Sequence, residues 1–321
     1  MIALHSENGP PGADIAVEPF AWFLFVVGMV TLVAFDLLMH RDDHEVKVRE
    51  ALVWSLVWIG LSLVFGAYVW WWLGSAAGAQ FLTGYVIEKS LSVDNVFVWA
   101  VILGYFAVPK NLQHRVLFWG ILGALALRAI FIFAGIALLE RLSWLTLVFG
   151  AFLIFTAVRV FGHDDTEIHP ERNPVLALMR RRVRVTDDYA GRRFTVSHDR
   201  RRWATPLLVV LIMVEVTDVV FAVDSIPAIL AVSRSQFIVF SSNALAILGL
   251  RSLYFVLAGA SDKLVHLNKG LGVILGFVGI KMVLEQWGIR IPTLASLAVI
   301  VALLSATVAL SLRTVSRSTR A

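Results

Sequence analysis

Nine apolar runs, near residues 18–39, 50–73, 81–106, 115–138, 143–161, 205–232, 236–260, 269–287 and 291–312, leave this 321-residue chain few ways to fold. Each is about the length a helix needs to cross the roughly 30 Å hydrocarbon layer of a bilayer. No water meets backbone N–H and C=O groups there, so a segment in that layer satisfies them internally as a helix. The expectation is an all-α polytopic membrane protein of about nine transmembrane helices. Composition excludes a soluble cytosolic enzyme: 59% of the residues are hydrophobic and 16% charged, against about 45–50% and about 25% in soluble domains. The chain has no cysteine, which removes disulfides, thiolate metal sites and cysteine nucleophiles.

The positive residues set the orientation, because cytoplasmic loops keep Lys and Arg. With nine helices, twenty Lys and Arg fall on one side. They are Arg41, Lys47, Arg49, Lys110, Arg115, Lys263, Lys269, Arg313, Arg317, Arg320 and ten arginines between 162 and 204. Only Arg141, Arg234 and Arg290 fall on the other. This puts the N-terminus outside and the C-terminus in the cytoplasm. The first 19 residues hold no Lys or Arg, unlike the basic start of a secretory signal peptide, so no cleaved signal is expected. The formal charge of +5 then belongs to membrane topology, and no nucleic-acid partner is implied. The chain divides into an N-terminal membrane half (1–161, five helices), a basic loop (162–204) and a C-terminal membrane half (205–321, four helices). The loop's arginines suit a partner protein or anionic lipid headgroups, although a topology-setting loop is basic without either.

Charge inside the spans narrows the function. A charged group at mid-bilayer costs at least ~2.5–3.5 kcal/mol and usually faces the bundle interior or an ion path. The acids there are Asp36, Glu88, Asp94, Glu215, Asp218, Asp224 and Glu285. The bases are Lys89, Arg128, Arg251 and Lys281, with Arg159 near enough to a membrane face to snorkel. Five of the seven acids lie in the third and sixth helices. At about 100° per residue, Glu88, Ser92 and Asn95 form one stripe, with Asp94 about 120° away. In the sixth helix Glu215 and Asp218 share a face, and Asp224 points away from Glu215 on a regular helix. Pro227 withholds the hydrogen bond owed to Val223 and disfavours helical geometry at Ile226. A break there turns Asp224 inward and exposes the Val223 carbonyl. The segment Val93-Asp94-Asn95-Val96-Phe97-Val98 also aligns with Thr217-Asp218-Val219-Val220-Phe221-Ala222. In the topology above these two helices run in opposite directions, as in an inverted-repeat transporter with its site near the midplane.

Seven carboxylates cannot all stay ionised in a dry interior, because like charges raise one another's pKa. A cation, protons, or Arg128 and Arg251 must compensate them. All eight histidines fall in loops or at helix ends. Zinc and copper favour imidazole or thiolate, whereas carboxylate, carbonyl and water suit magnesium, calcium and manganese. The cluster reads as a site for a hard divalent cation, with Asn95, Ser92, Ser225 and Asn243 adding neutral oxygens. Arg128 and Arg251 are expected to neutralise acids rather than touch substrate. Lys281 and Glu285, spaced i, i+4, are expected to pair. Asp36 reads equally as a pathway acid or an interfacial residue, and Trp70, Trp71 and Trp72 as interfacial anchors.

Three composite motifs resemble the TerC family of membrane proteins. They are Glu88-Lys89-Ser90-Leu91-Ser92-Val93-Asp94-Asn95-Val96-Phe97-Val98-Trp99, Phe221-Ala222-Val223-Asp224-Ser225-Ile226-Pro227-Ala228-Ile229, and Ser242-Asn243-Ala244-Leu245-Ala246-Ile247-Leu248-Gly249-Leu250-Arg251. The resemblance implies a LysE-type transporter built on an inverted internal repeat in a bacterial cytoplasmic membrane. It also implies functional acids at Asp36, Glu88, Asp94, Glu215, Asp218 and Asp224. Members of the family are linked to manganese export, to tellurite resistance and to supplying metal to exported enzymes. Tellurite is an anion, which a carboxylate cluster repels.

Together these readings lead to an exporter of a hard divalent cation, Mn²⁺ first, and not an enzyme. The expected metal ligands are Glu88, Asp94, Asn95, Glu215, Asp218, Asp224, Asn243 and Asp36. No resident cofactor is expected, and no GxxxxGK(S/T) nucleotide loop occurs, so proton exchange is the plausible drive. The competing class is a non-transporting scaffold of a metal or tellurite stress response that docks partners through residues 162–204. Carboxylates each locked to an arginine or lysine would count against transport.

Overall fold

A computed structural model describes residues 17–39, 48–142, 144–162, 184–198, 201–257, 267–289 and 291–318. The first five helices are α1 (Pro19–Met39), α2 (Val48–Leu73), α3 (Ser75–Tyr105), α4 (Lys110–Arg141) and α5 (Leu145–Gly162). A hairpin of β1 (Thr195–His198) and β2 (Arg201–Ala204) follows. The second half holds α6 (Pro206–Leu230), α7 (Gln236–Ile247), α8 (Leu250–Leu257), α9 (Leu267–Gln286) and α10 (Thr293–Ser318). Six segments are long and apolar enough to cross a membrane: those in α1, α2, α4, α6 and α10, and the α7–α8 rod Gln236–Val256. The chain is an integral, multi-pass membrane protein. The 31 residues of α3 are long enough as well, but they carry Glu88, Lys89 and Asp94 within seven positions. The apolar part of α5, Leu145–Val160, is shorter.

The observed helices cover all nine expected runs, with two differences. The seventh run is two helices, broken at Leu248 and Gly249. Gly249 has φ +81° and its Cα faces Trp58, which would lie 2.8 Å from any Cβ there. Only glycine meets both demands without strain. The break leaves α7 carbonyls without helical donors. Lys89 Nζ donates to the Ala246 carbonyl (3.2 Å) and Ser62 Oγ to that of Leu245 (3.4 Å). A cation at a helix C-terminus also complements the dipole. The second difference is a correction: α6 runs unbroken through Pro227 to Leu230. Proline removes one hydrogen bond three residues before the helix ends, and membrane helices tolerate that loss where neighbours enclose it.

Helix α3 lies at the centre, packed against α2, α6, α7, α8 and α10. That explains its charges: a polar helix survives in lipid when other helices enclose it. Two apolar clusters fill the bundle. One includes Ile87, Ile132, Ala222 and Ile226; the other includes Trp99, Leu117, Met213 and Val214. Both draw on α3, α4 and α6, and the polar site described below falls at the seam between them. Outside this centre α5 packs chiefly on α9. There Gly150 and Gly279 face each other, and a Cβ on Gly279 would meet the Gly150 carbonyl oxygen at 2.9 Å. Small residues allow such close approach in membrane bundles.

Part of the basic loop docks on one end of the bundle. Val185 bridges to Ala204, and the Arg115 guanidinium lies 5.0 Å from the Phe194 ring. The Tyr189 hydroxyl donates to the Phe106 carbonyl at the end of α3 (2.7 Å), and burial pushes its pKa above the ordinary value. Residues 163–183, with Arg172, Arg180, Arg181 and Arg182, lie outside the described residues.

Candidate functional site

Four helices contribute to one polar network around a guanidinium. Arg128 comes from α4, Asp218 from the middle of α6, Glu88 from α3 and Asn243 from α7, and each is no more than 1% exposed. Asp218 stands twelve residues from either end of α6, or about 18 Å at 1.5 Å per residue. Arg128 Nη2 donates to Asp218 Oδ1 (3.0 Å) and Nε to Oδ2 (3.3 Å), a two-pronged pairing that fixes geometry as well as charge. Its Nη1 donates to Glu88 Oε1 and lies 3.5 Å from Ser225 Oγ. Ser92 Oγ donates to Glu88 Oε1 (3.2 Å) and Asn243 Nδ2 to Glu88 Oε2 (3.0 Å). Asn95 Nδ2 donates to Asp218 Oδ1 (3.3 Å). Every oxygen of both carboxylates therefore accepts a hydrogen bond.

The expected stripe of Glu88, Ser92 and Asn95 is thus one buried surface facing α4, α6 and α7. Among the described residues one guanidinium faces two carboxylates on it. Asn95 Oδ1 and Asn243 Oδ1 are buried without a hydrogen-bond partner among the described residues. Both amides turn their nitrogens to the carboxylates, which only accept, and this leaves the amide oxygens unmatched.

The other expected ligands are spread more widely. Glu215 lies one turn from Asp218 with its carboxylate against Gly123 of α4, where a Cβ would overlap it. Its Oε2 has no partner among the described residues. Asp224 faces α5 and accepts from Thr156 Oγ1 (3.2 Å). The unbroken α6 keeps it off the Arg128 side, which corrects the expected inward turn. Asp36 accepts from Arg251 Nη2 through its side chain (2.9 Å) and its backbone carbonyl (3.1 Å). The side chains of Asp94 and Glu285 lie outside the described residues, although both backbones are helical. Lys281 is buried in α9.

Among the described residues no three His, Asp or Glu stand close enough together to hold a metal ion. Arg128 lies between Glu88 and Asp218 and donates to both. Both expected arginine roles are thereby observed as ion pairs. Two features were not legible beforehand: Lys89 serving the broken end of α7, and Gly123 making room for Glu215. Gly120 and Gly123 sit three apart on α4, a small-residue spacing that marks close helix contact without naming its partner.

Comparison with known proteins gives the family. The description "Integral membrane protein TerC family" matches residues 73–320. The chain belongs to the TerC family. A Myxococcus xanthus relative, called uncharacterized membrane protein STKORF319, is 50% identical over 296 residues, 92% of each chain. Two relatives carry the name putative membrane-bound redox modulator Alx. The Salmonella typhi protein is 45% identical over 303 residues, 91% of this chain and 94% of its own. The Escherichia coli K12 protein is 46% identical over 297 residues, 89% and 92% of the two chains. No solved structure matches this TerC chain.

Proposed function

We propose that this TerC-family protein exports a hard divalent cation, Mn²⁺ first, across a bacterial cytoplasmic membrane through the centre between α3, α4, α6 and α7. The observation that carries the reading is the charge excess at mid-helix. Two acceptor-only carboxylates share one guanidinium, with two buried amide oxygens beside them unmatched. Oxygen donors of this kind suit Mn²⁺, Mg²⁺ and Ca²⁺. Glu215, one turn from Asp218 on α6, adds a third carboxylate beside this centre, and Asp94 is the further acid of α3 assigned to the path. Nine spans in an inverted repeat, with the N-terminus outside and the C-terminus inside, complete this reading. Proton exchange on the same carboxylates supplies the drive. A redox role, the one the relatives' name carries, cannot run through thiols of this cysteine-free chain; altered metal supply is a route that remains.

Everted vesicles test the proposal by uptake of Mn²⁺ in competition with Ca²⁺ and Mg²⁺. Asp94→Asn and Glu88→Gln are expected to abolish uptake while the protein is still made and inserted. Full uptake in both variants overturns the site. The pairing of Glu88, Asp218 and Asp36 with arginines favours a second reading, the scaffold, in which buried charges only hold helices together. That reading expects amide variants to work normally and neutralisation of Arg180, Arg181 and Arg182 to end function.

A further inference from the structure

We propose that the Arg128 guanidinium is the resting occupant of the cation site: a divalent cation binds Glu88 and Asp218 by displacing Arg128, which returns as the ion leaves. The inference rests on the transport reading above and adds what keeps the centre compensated between ions. The guanidinium bridges carboxylates from two helices, α3 and α6, at the point where a shared cation would neutralise both. A single positive charge leaves one negative charge over, whereas a divalent ion leaves none. A metal and Arg128 would compete for the same Glu88 and Asp218 oxygens and repel each other there, so binding of one works against the other.

The amides supply the second observation. Asn95 and Asn243 are each 1% exposed and each has an unpartnered Oδ1, because its Nδ2 serves a carboxylate. Turning either amide over exchanges a donor for a neutral oxygen ligand. Hard divalent ions take six or more oxygens, and two carboxylates with two amide oxygens supply most of that number. The candidate ligands all come from α3, α6 and α7, whereas Arg128 comes from α4. Withdrawal of the arginine therefore leaves the ligand set standing.

Purified full-length protein titrated with MnCl₂ tests the exchange, read by direct binding and by the rise in Tm. If the metal-ready state is populated at about a tenth or less while Arg128 is present, removing the competitor tightens apparent binding by about tenfold or more. Arg128→Gln is therefore expected to bind Mn²⁺ at least about tenfold more tightly than wild type and to gain more Tm from the ion. Arg128→Lys, a compact charge that cannot span both carboxylates, is expected to fall between. Equal or weaker Mn²⁺ binding by Arg128→Gln, with wild type binding normally, overturns the exchange. Should Arg128→Gln fail to fold even in MnCl₂, the lysine variant decides: a tighter midpoint supports the exchange and an unchanged or weaker one overturns it. Absence of Mn²⁺ binding in every form, wild type included, overturns the transport reading itself and the exchange with it.

Discussion

Arg128 and Arg251 are both buried, both sit on helices of the inner bundle and both donate to an aspartate, yet their surroundings differ in charge. Among the described residues Arg251 pairs with one carboxylate, that of Asp36, whose side chain keeps 17% exposure, and it also donates to the Asp36 backbone. That pair ties α1, the helix at the edge of the bundle, to α8 just after the break at Gly249. Arg128 meets two carboxylates that are almost wholly enclosed. The contrast separates a latch from a centre: among the described residues the first sets one guanidinium against one carboxylate, and the second sets one against two. Removing one partner of a buried pair costs about 3–5 kcal/mol, because the other is left charged and unmatched. Arg128→Gln is expected to lose stability in that range when metal is absent. Arg251→Gln leaves a carboxylate that the protein only partly encloses, so its loss is expected nearer the about 1.5–3 kcal/mol of a hydrogen bond to a charged group. Denaturant unfolding in detergent measures both. Equal losses, or a larger one at Arg251, would erase the distinction between the two arginines.

How much of this centre could be read beforehand follows the physics of each signal. Apolar runs are local, so the expected spans lie within a few residues of helices α1, α2, α5, α6, α9 and α10. The face shared by Glu88, Ser92 and Asn95 follows from helical period alone, and all three are buried together. Pairing partners are not local. Whether Asp218 meets a metal, a proton or Arg128, 90 positions away, depends on how α4 packs against α6, and nothing in either segment specifies it. Pro227 misled for a related reason: a proline's effect on a helix depends on which neighbours enclose it. The break that does occur, at Gly249, was visible only as one glycine among 22.

A second contrast, smaller in energy, sets the centre against the α5–α9 contact. At Gly279 an added methyl group meets the Gly150 carbonyl oxygen and the Ile154 backbone nitrogen, at 2.9 and 3.0 Å. Backbone atoms cannot swing aside, so α5 and α9 must part. Overpacking of this kind costs about 1–3 kcal/mol, and Gly279→Ala is expected to fall in that range. At Gly123 the atoms in the way are the end of the Glu215 side chain, which can move. Alanine also stabilises a helix by roughly 0.5–1 kcal/mol over glycine, so Gly123→Ala is expected to stay near wild-type stability while shifting Glu215. Mn²⁺ uptake in vesicles should then fall for Gly123→Ala at unchanged melting temperature. Uptake that follows stability in both variants would place Glu215 outside the path.

The smallest effect on transport is expected at the docked loop, which tests whether the centre or the loop governs the protein. Tyr189→Phe removes one hydrogen bond, to the Phe106 carbonyl, worth about 0.5–1.5 kcal/mol, and touches neither arginine. The bond has a pH signature. Burial raises the Tyr189 pKa above its ordinary 10.0, so the folded state holds the phenolic proton more tightly than the unfolded one. Its contribution is fully present below about pH 10 and declines as pH rises through the higher folded value. Wild type should therefore unfold later than Tyr189→Phe near neutral pH, and the gap should close only in strongly alkaline buffer. Mn²⁺ uptake should be the same in both. A loss of uptake as deep as that of Glu88→Gln would move the function from the arginine centre to the loop, and with it the weight from transport to scaffold.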